Sequence, residues 1–275
     1  MNIEITKTDL DKAVAAAREP KGHIFSLLEE SINLKADEIG MDILGAAGIR
    51  AAEEAGSLVC HYTKQLACVG AFLQKMRSLD LVLTSTGFGV VSTQDTAPAS
   101  KMRVDALEGE LRKKERLLRS LLLETLFDVE GWSDSIQRHE NIETLFWSFT
   151  MLQIYAGITN PDARDWDSNI PAMLTADSFL RKHIGNAFMN ELLDQMTSNS
   201  LTQENARIVR LCRRFIGAWI SQNHPYKESA YKEIINTLEA DLERYPTYQL
   251  GEGYKLNHFK PYENHAEDSA FHFVG

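Results

Sequence analysis

A chain of 275 residues with 44% hydrophobic and 25% charged positions can bury a sizeable core, as one large domain or two ordinary ones. Its formal net charge of −10 argues against a general nucleic-acid binder, which needs a basic footprint, while leaving room for local basic patches. No apolar run approaches the roughly 20 residues that span a bilayer. Residues 1–6 have neither the basic nor the apolar region of a signal peptide, so the expectation is a protein that stays where it is made, with no membrane partner.

In chain order, a first helix is expected over 6–18, opened by Thr8-Asp9 and ended by Glu19-Pro20. Ile24, Leu27, Leu28, Ile32, Leu34, Ile39, Ile43 and Leu44 set a second over 24–44, with Gly40, Gly45 and Gly48 marking bends or close contacts. A third runs over 51–77, its core face made of Leu58, Leu66, Val69, Phe72 and Met76. Two short β-type runs then meet at Ser85-Thr86-Gly87, which reads as a hairpin over 80–92. Pro98, tolerated in a first turn, opens a long helix over 97–129. About 30 residues at 1.5 Å each make a rod roughly 45 Å long. Its stripe is Val104, Leu107, Leu111, Leu118, Leu122 and Leu126, and Leu117, Leu121 and Leu123 broaden it towards burial on two sides. Glu108–Arg112, Glu110–Lys114 and Glu115–Arg119 are i,i+4 pairs in the favourable order, as on a solvated face.

Residues 131–165 read as an irregular connection, holding a strand over 142–147 and a short helix over 149–155. Helical periodicity resumes at Ala172 and continues to Met196; Thr202 caps the next helix, whose core face is Ile208, Val209, Leu211, Cys212, Phe215, Ile216 and Trp219. A last helix carries Tyr231, Ile234, Leu238 and Tyr245 and stops at Pro246. The expected organisation is therefore mainly α: a helical module with its hairpin over 1–130, the connection, a second helical module over 166–245, and an extended C-terminal arm over 246–275. Ile39-Gly40 and Val69-Gly70-Ala71-Phe72 are echoed by Ile184-Gly185 and Ile216-Gly217-Ala218-Trp219 at nearly equal offsets, a weak sign of one module used twice. Only the first copy carries a hairpin before its last helix.

Few residues point to chemistry. Gly87-Phe88-Gly89 lacks the third glycine and the helix start of a dinucleotide loop, and suits a bulged hairpin. Cys60, Cys68 and Cys212 fit no disulfide or zinc spacing and read as reduced core thiols. His258, His265 and His272 are seven apart in a stretch without helical period, and Asp162, Asp165 and Asp167 lack the glycine and terminal glutamate of a calcium loop. No metal, cofactor or catalytic residue is expected. Arg207, Arg210 and Arg214 share one helical face with Arg213 beside them, suited to a phosphate or carboxylate on a partner or to ion pairing within or between subunits. Phe271 and Phe273, in an alternating terminal run, suit addition to a sheet edge or groove.

Leu79-Asp80-Leu81-Val82-Leu83-Thr84, Thr86-Gly87-Phe88-Gly89-Val90-Val91-Ser92, Ala97-Pro98-Ala99-Ser100-Lys101 and Leu211-Cys212-Arg213-Arg214-Phe215-Ile216-Gly217-Ala218 resemble blocks in a family of uncharacterised proteins from phages and prophages of Bacteroides-type bacteria. That family is in turn similar to the head–tail connector (adaptor) proteins of tailed phages. The resemblance implies a non-enzymatic virion protein assembled in the host cytoplasm. It implies a ring of identical subunits between portal and tail, with portal, neck and tail proteins as partners and DNA in the channel as a further one. The expected contact elements are the hairpin tip Thr84, Ser85, Thr86, Gly87 and Phe88, the face of Arg207, Arg210 and Arg214, and Phe271 and Phe273 of the arm. The alternatives are a small enzyme of a mobile element, which needs convergent acid–base groups, and a cytosolic helical adaptor.

Overall fold

A computed structural model describes residues 1–19, 22–79, 81–84, 87–90, 100–161 and 163–259, and the fold is mainly α. Helix α1 (Lys7–Ala13) starts where the Thr6 amide and hydroxyl both donate to the Asp9 carboxylate. It is shorter than the expected 6–18, because a separate 3₁₀ turn, Ala15–Ala17, follows Val14. Helix α2 (His23–Ile39) runs into a π-helical turn, Gly40–Leu44, and then into α3 (Gly45–Glu53). The single helix expected over 51–77 is broken instead: Gly56 turns the chain at φ +88°, and the Ser57 side chain caps α4 (Leu58–Lys75) by accepting from the Cys60 amide at 3.0 Å.

Strands β1 (Leu81–Thr84) and β2 (Gly87–Val90) pair antiparallel, Leu81 opposite Val90 and Thr84 opposite Gly87. Helix α5 (Lys101–Leu126) has Ser100 as its N-cap and ends three residues before the expected 129. The expected start near Pro98 lies outside the described residues. Arg77, just beyond α4, bonds Asp105 and Glu108 at 2.7 and 2.8 Å, and Gly70 lies against Lys35 and Glu115. The two helices are therefore antiparallel, and the link that carries β1 and β2 leaves at one end of the pair. Of the expected i,i+4 pairs Glu108–Arg112 forms at 2.7 Å, while Lys114 donates to the Ala13 carbonyl.

The expected irregular connection is helical in part and belongs to the core. It holds α6 (Ile136–Asn141) and α7 (Phe149–Ala156), and Trp132, Ile142, Leu145 and Phe146 are fully buried. No strand forms over 142–147. Its backbone finds side chains rather than a ladder: Thr144 Oγ1 accepts from the Phe146 amide and donates to the Phe146 carbonyl, and Arg213 donates to the Leu145 carbonyl. Helix α8 (Ala163–Ile184) begins well before the expected Ala172, with Pro171 on its exposed side. Gly185, at φ +97°, separates it from α9 (Asn186–Thr197), which the periodicity alone had joined to it.

Thr202 caps α10 (Gln203–Ile220), accepting from the Asn205 amide, and Asn223 caps α11 (His224–Glu239). Pro246 then opens a helix rather than ending one. Helices α12 (Pro246–Leu250) and α13 (Glu252–Asn257) replace the first part of the expected extended arm. They dock because Gly253 lets α13 lie on the backbone at Gly185 and His183: an added Cβ would stand 2.6 Å from Gly185 N. Tyr248 is fully buried, and Asn257 Nδ2 donates to the His183 carbonyl at 3.0 Å. Residues 260–275 lie outside the described residues.

The order helix, glycine break, short helix, polar cap, 18-residue helix and antiparallel partner occurs twice, as α2–α5 and α8–α11. One core runs through both parts. Three side chains from 132–141 hold the π turn: Gln137 Nε2 donates to the Met41 carbonyl (3.0 Å), Asn141 Nδ2 to Asp42 (2.7 Å) and Trp132 Nε1 to Ile43 (2.9 Å). Arg138, 2% exposed, ties the same segment to α9 through Asp194 (2.5 Å) and Thr197 (3.0 Å). No helix among the described residues is long and apolar enough to cross a membrane.

Asn141 also accepts from Arg119 at 2.6 Å. Asn141→Ala is expected to cost about 1–3 kcal/mol by orphaning both partners, read as a lower denaturation midpoint at unchanged m. Gly217 lies against the Tyr155 carbonyl, where a Cβ has no room, so Gly217→Ala should cost about 1–3 kcal/mol. Gly109, on the exposed face of α5 with open space around it, gives the opposite sign: Gly109→Ala should gain about 0.5–1 kcal/mol in the same denaturation experiment.

Candidate interaction site

Helix α10 is strongly two-sided. Ile208, Val209, Leu211, Cys212, Phe215 and Ile216 are buried, and Phe215 stacks on Phe179 at 5.3 Å. Arg207, Arg210 and Arg214 form an exposed line about 10 Å long on the other side. None of the three makes an ion pair or hydrogen bond among the described residues. Arg213 is held apart from them: its Nε donates to the Leu145 carbonyl at 3.0 Å, its Nη2 contacts Met196 Sδ, and desolvation lowers its pKa. The expected cluster of four is thus one structural arginine and three free ones. Beside them α10 and α11 line a groove of about 1030 Å³, where Arg207, Lys232 and Arg244 face Glu204, Glu228, Glu233 and Asp241. Those signs offset one another, so the groove has no net call for an anion.

Helix α2 carries two apolar stripes. Leu28, Ile32, Ala36 and Ile39 face the core. Leu27 and Leu34, followed at the same spacing of seven by Met41 of the π turn, face outward at 55%, 63% and 67% exposure. Leu27 and Leu34 therefore leave the core face that periodicity assigned to them, as do Leu58 and Leu117. Acids sit between the outward apolar residues: Glu30, then Asp37 and Glu38. Asp37 holds the N-terminal ammonium at 3.0 Å and Glu38 holds Lys35 at 2.8 Å, while Glu30 has no partner among the described residues. The signal missed in the sequence is the seven-residue spacing, which marks a second stripe.

A third feature was also not legible in the sequence. Where α5, α7 and α8 meet, a cleft of about 390 Å³ is lined by Arg116, Arg119, Phe149 and Trp166. Phe149 packs on Trp166 at 4.9 Å, and the Arg116 guanidinium lies 4.9 Å from the Phe149 ring. Desolvation lowers the Arg119 pKa, against the opposing pull of Asp42 and Glu115. Carboxylates of Glu38, Asp42 and Glu115 share the lining, so the cleft offers shape and offsetting charge, with no nucleophile beside a base.

Among the described residues no group of three His, Cys, Asp or Glu is placed to hold a metal ion. The three cysteines are free and buried; burial pushes the Cys68 thiol up to about 12 and raises Cys212 as well. Of the expected contact residues, Thr84, Gly87 and Phe88 lie in the paired strands, and Arg207, Arg210 and Arg214 are exposed on α10. Ser85, Thr86, Phe271 and Phe273 lie outside the described residues. The structure brings the three arginines together on one face of α10.

No curated protein and no solved structure matches the chain. A family of unknown function (DUF6712) matches residues 29–142, less than half the chain, from within α2 to just past α6. The matched stretch contains the π turn and the three side chains that cap it.

Proposed function

We propose that this chain is a structural subunit of a phage neck: a head–tail connector that assembles as a ring between portal and tail and performs no catalysis. The supporting observation is a pair of outer helix faces that no other described element covers, the arginine line of α10 and the exposed apolar row of α2. A regular row of exposed large apolar side chains is a feature of surfaces that meet a partner, and an acidic chain has carboxylates to spare for its arginines. Subunits of an assembly keep such faces for their neighbours. The resemblance of the strand-to-helix block to phage and prophage proteins points the same way. The paired strands sit at one end of the α4–α5 pair, where a link can reach a partner without disturbing the core.

The proposed localisation is the virion, and the proposed partners are further copies of the chain, the portal protein and other neck or tail proteins. DNA in the channel is a partner only if the α10 arginines line the lumen. Purified protein mixed with portal rings of the same genetic element is expected to add a layer of density on the portal in negative-stain images. Portal rings that stay bare at every protein concentration tested would count against the proposal.

A further inference from the structure

We infer that the outer face of α2 on one copy packs against the outer face of α10 on the next, as one repeated heterologous interface. The inference deepens the connector reading and rests on it only for self-association.

The two faces are complementary in charge. Along α2 and into the π turn the order is Leu27, Glu30, Leu34, Glu38, Met41, a line of about 21 Å in which apolar and acidic residues alternate. On α10 it is Arg207, Arg210, Arg214, with no carboxylate bound to any of them. An arginine brings a cation for Glu30, which has no partner among the described residues, a second cation for Glu38, which already holds Lys35 at its exposed edge, and an aliphatic stem that lies flat on leucine or methionine. Neither face suits a copy of itself. Two α2 faces would set Glu30 and Glu38 against their own kind, and two α10 faces would oppose six arginines, so a two-fold pairing through either is disfavoured by like charge. The pairing left open is one face with the other. It uses a different surface on each subunit, and repeated around an axis it closes a ring or extends a filament.

Within one chain the faces do not satisfy each other. Helix α2 packs on α4, whereas α10 packs on α7, α8 and α11, and no ion pair joins the two lines among the described residues. Both lines are exposed, so reversing their charges leaves the core untouched.

The test is sedimentation velocity on the full chain over a concentration series at low and high salt. One variant carries Glu30→Arg and Glu38→Arg, a second carries Arg207→Glu, Arg210→Glu and Arg214→Glu, and a third carries all five. Melting curves check that each is folded. Wild type is expected to associate at low salt and to dissociate as salt rises. Each single-face variant is expected to be monomeric alone. Their equimolar mixture is expected to associate beyond dimers as alternating copies, because each native face then meets a native partner and each reversed face a reversed one. The five-substitution chain is expected to associate again. A wild type monomeric at every concentration would overturn the inference, as would a mixture that stays monomeric. Association that survives in either single-face variant alone would also overturn it while leaving the ring intact through other faces, and the portal images judge that reading separately.

Discussion

Three donated hydrogen bonds to three successive carbonyls set the architecture. A π turn widens the helix at Gly40–Leu44, and the carbonyls of Met41, Asp42 and Ile43 receive the side chains of Gln137, Asn141 and Trp132. The Trp132–Ile43 bond is buried, where a carbonyl left unmade costs heavily, and the other two add to it from the surface, so the turn and the 132–141 segment support each other. Gly45, at φ +59°, adds the space: a Cβ there would stand 2.5 Å from Gln137 Oε1. The result pins residues roughly a hundred positions apart in sequence and turns a would-be linker into the centre of the fold.

From that point the second half follows. Arg138, on the short helix that supplies Gln137 and Asn141, reaches Asp194 and Thr197 on α9. Arg213 on α10 holds the Leu145 carbonyl four residues after Asn141. Two buried or half-buried arginines thus connect the capped segment to both sides of the second helical set. Their charge is costly to bury, and each is met by several acceptors, which makes the placement specific as well as strong. Glycines then set the closest approaches: Gly217 under the Tyr155 carbonyl and Gly253 over Gly185. The outside of α2 and α10 is where Leu27, Leu34, Arg207, Arg210 and Arg214 stay exposed among the described residues.

What the sequence alone determined is the mainly helical class, the placing of several elements and the arginine line. Periodicity of 3.6 marks α2, α4, α5, α10 and α11, and local caps such as Thr202 act within a few residues of themselves, so both are visible without a fold. Arg207, Arg210 and Arg214 fall on the polar side of a clearly two-sided helix, which is why their exposure was foreseeable. Only the tertiary structure decided which of the two apolar stripes of α2 turns inward, because a stripe reports greasiness and not which neighbour arrives. Only it made 131–148 core, since that segment has no period and its bonds go to carbonyls and arginines far along the chain. The start of the expected arm became α12 and α13 for the same reason: Gly253 has meaning only once Gly185 lies beneath it.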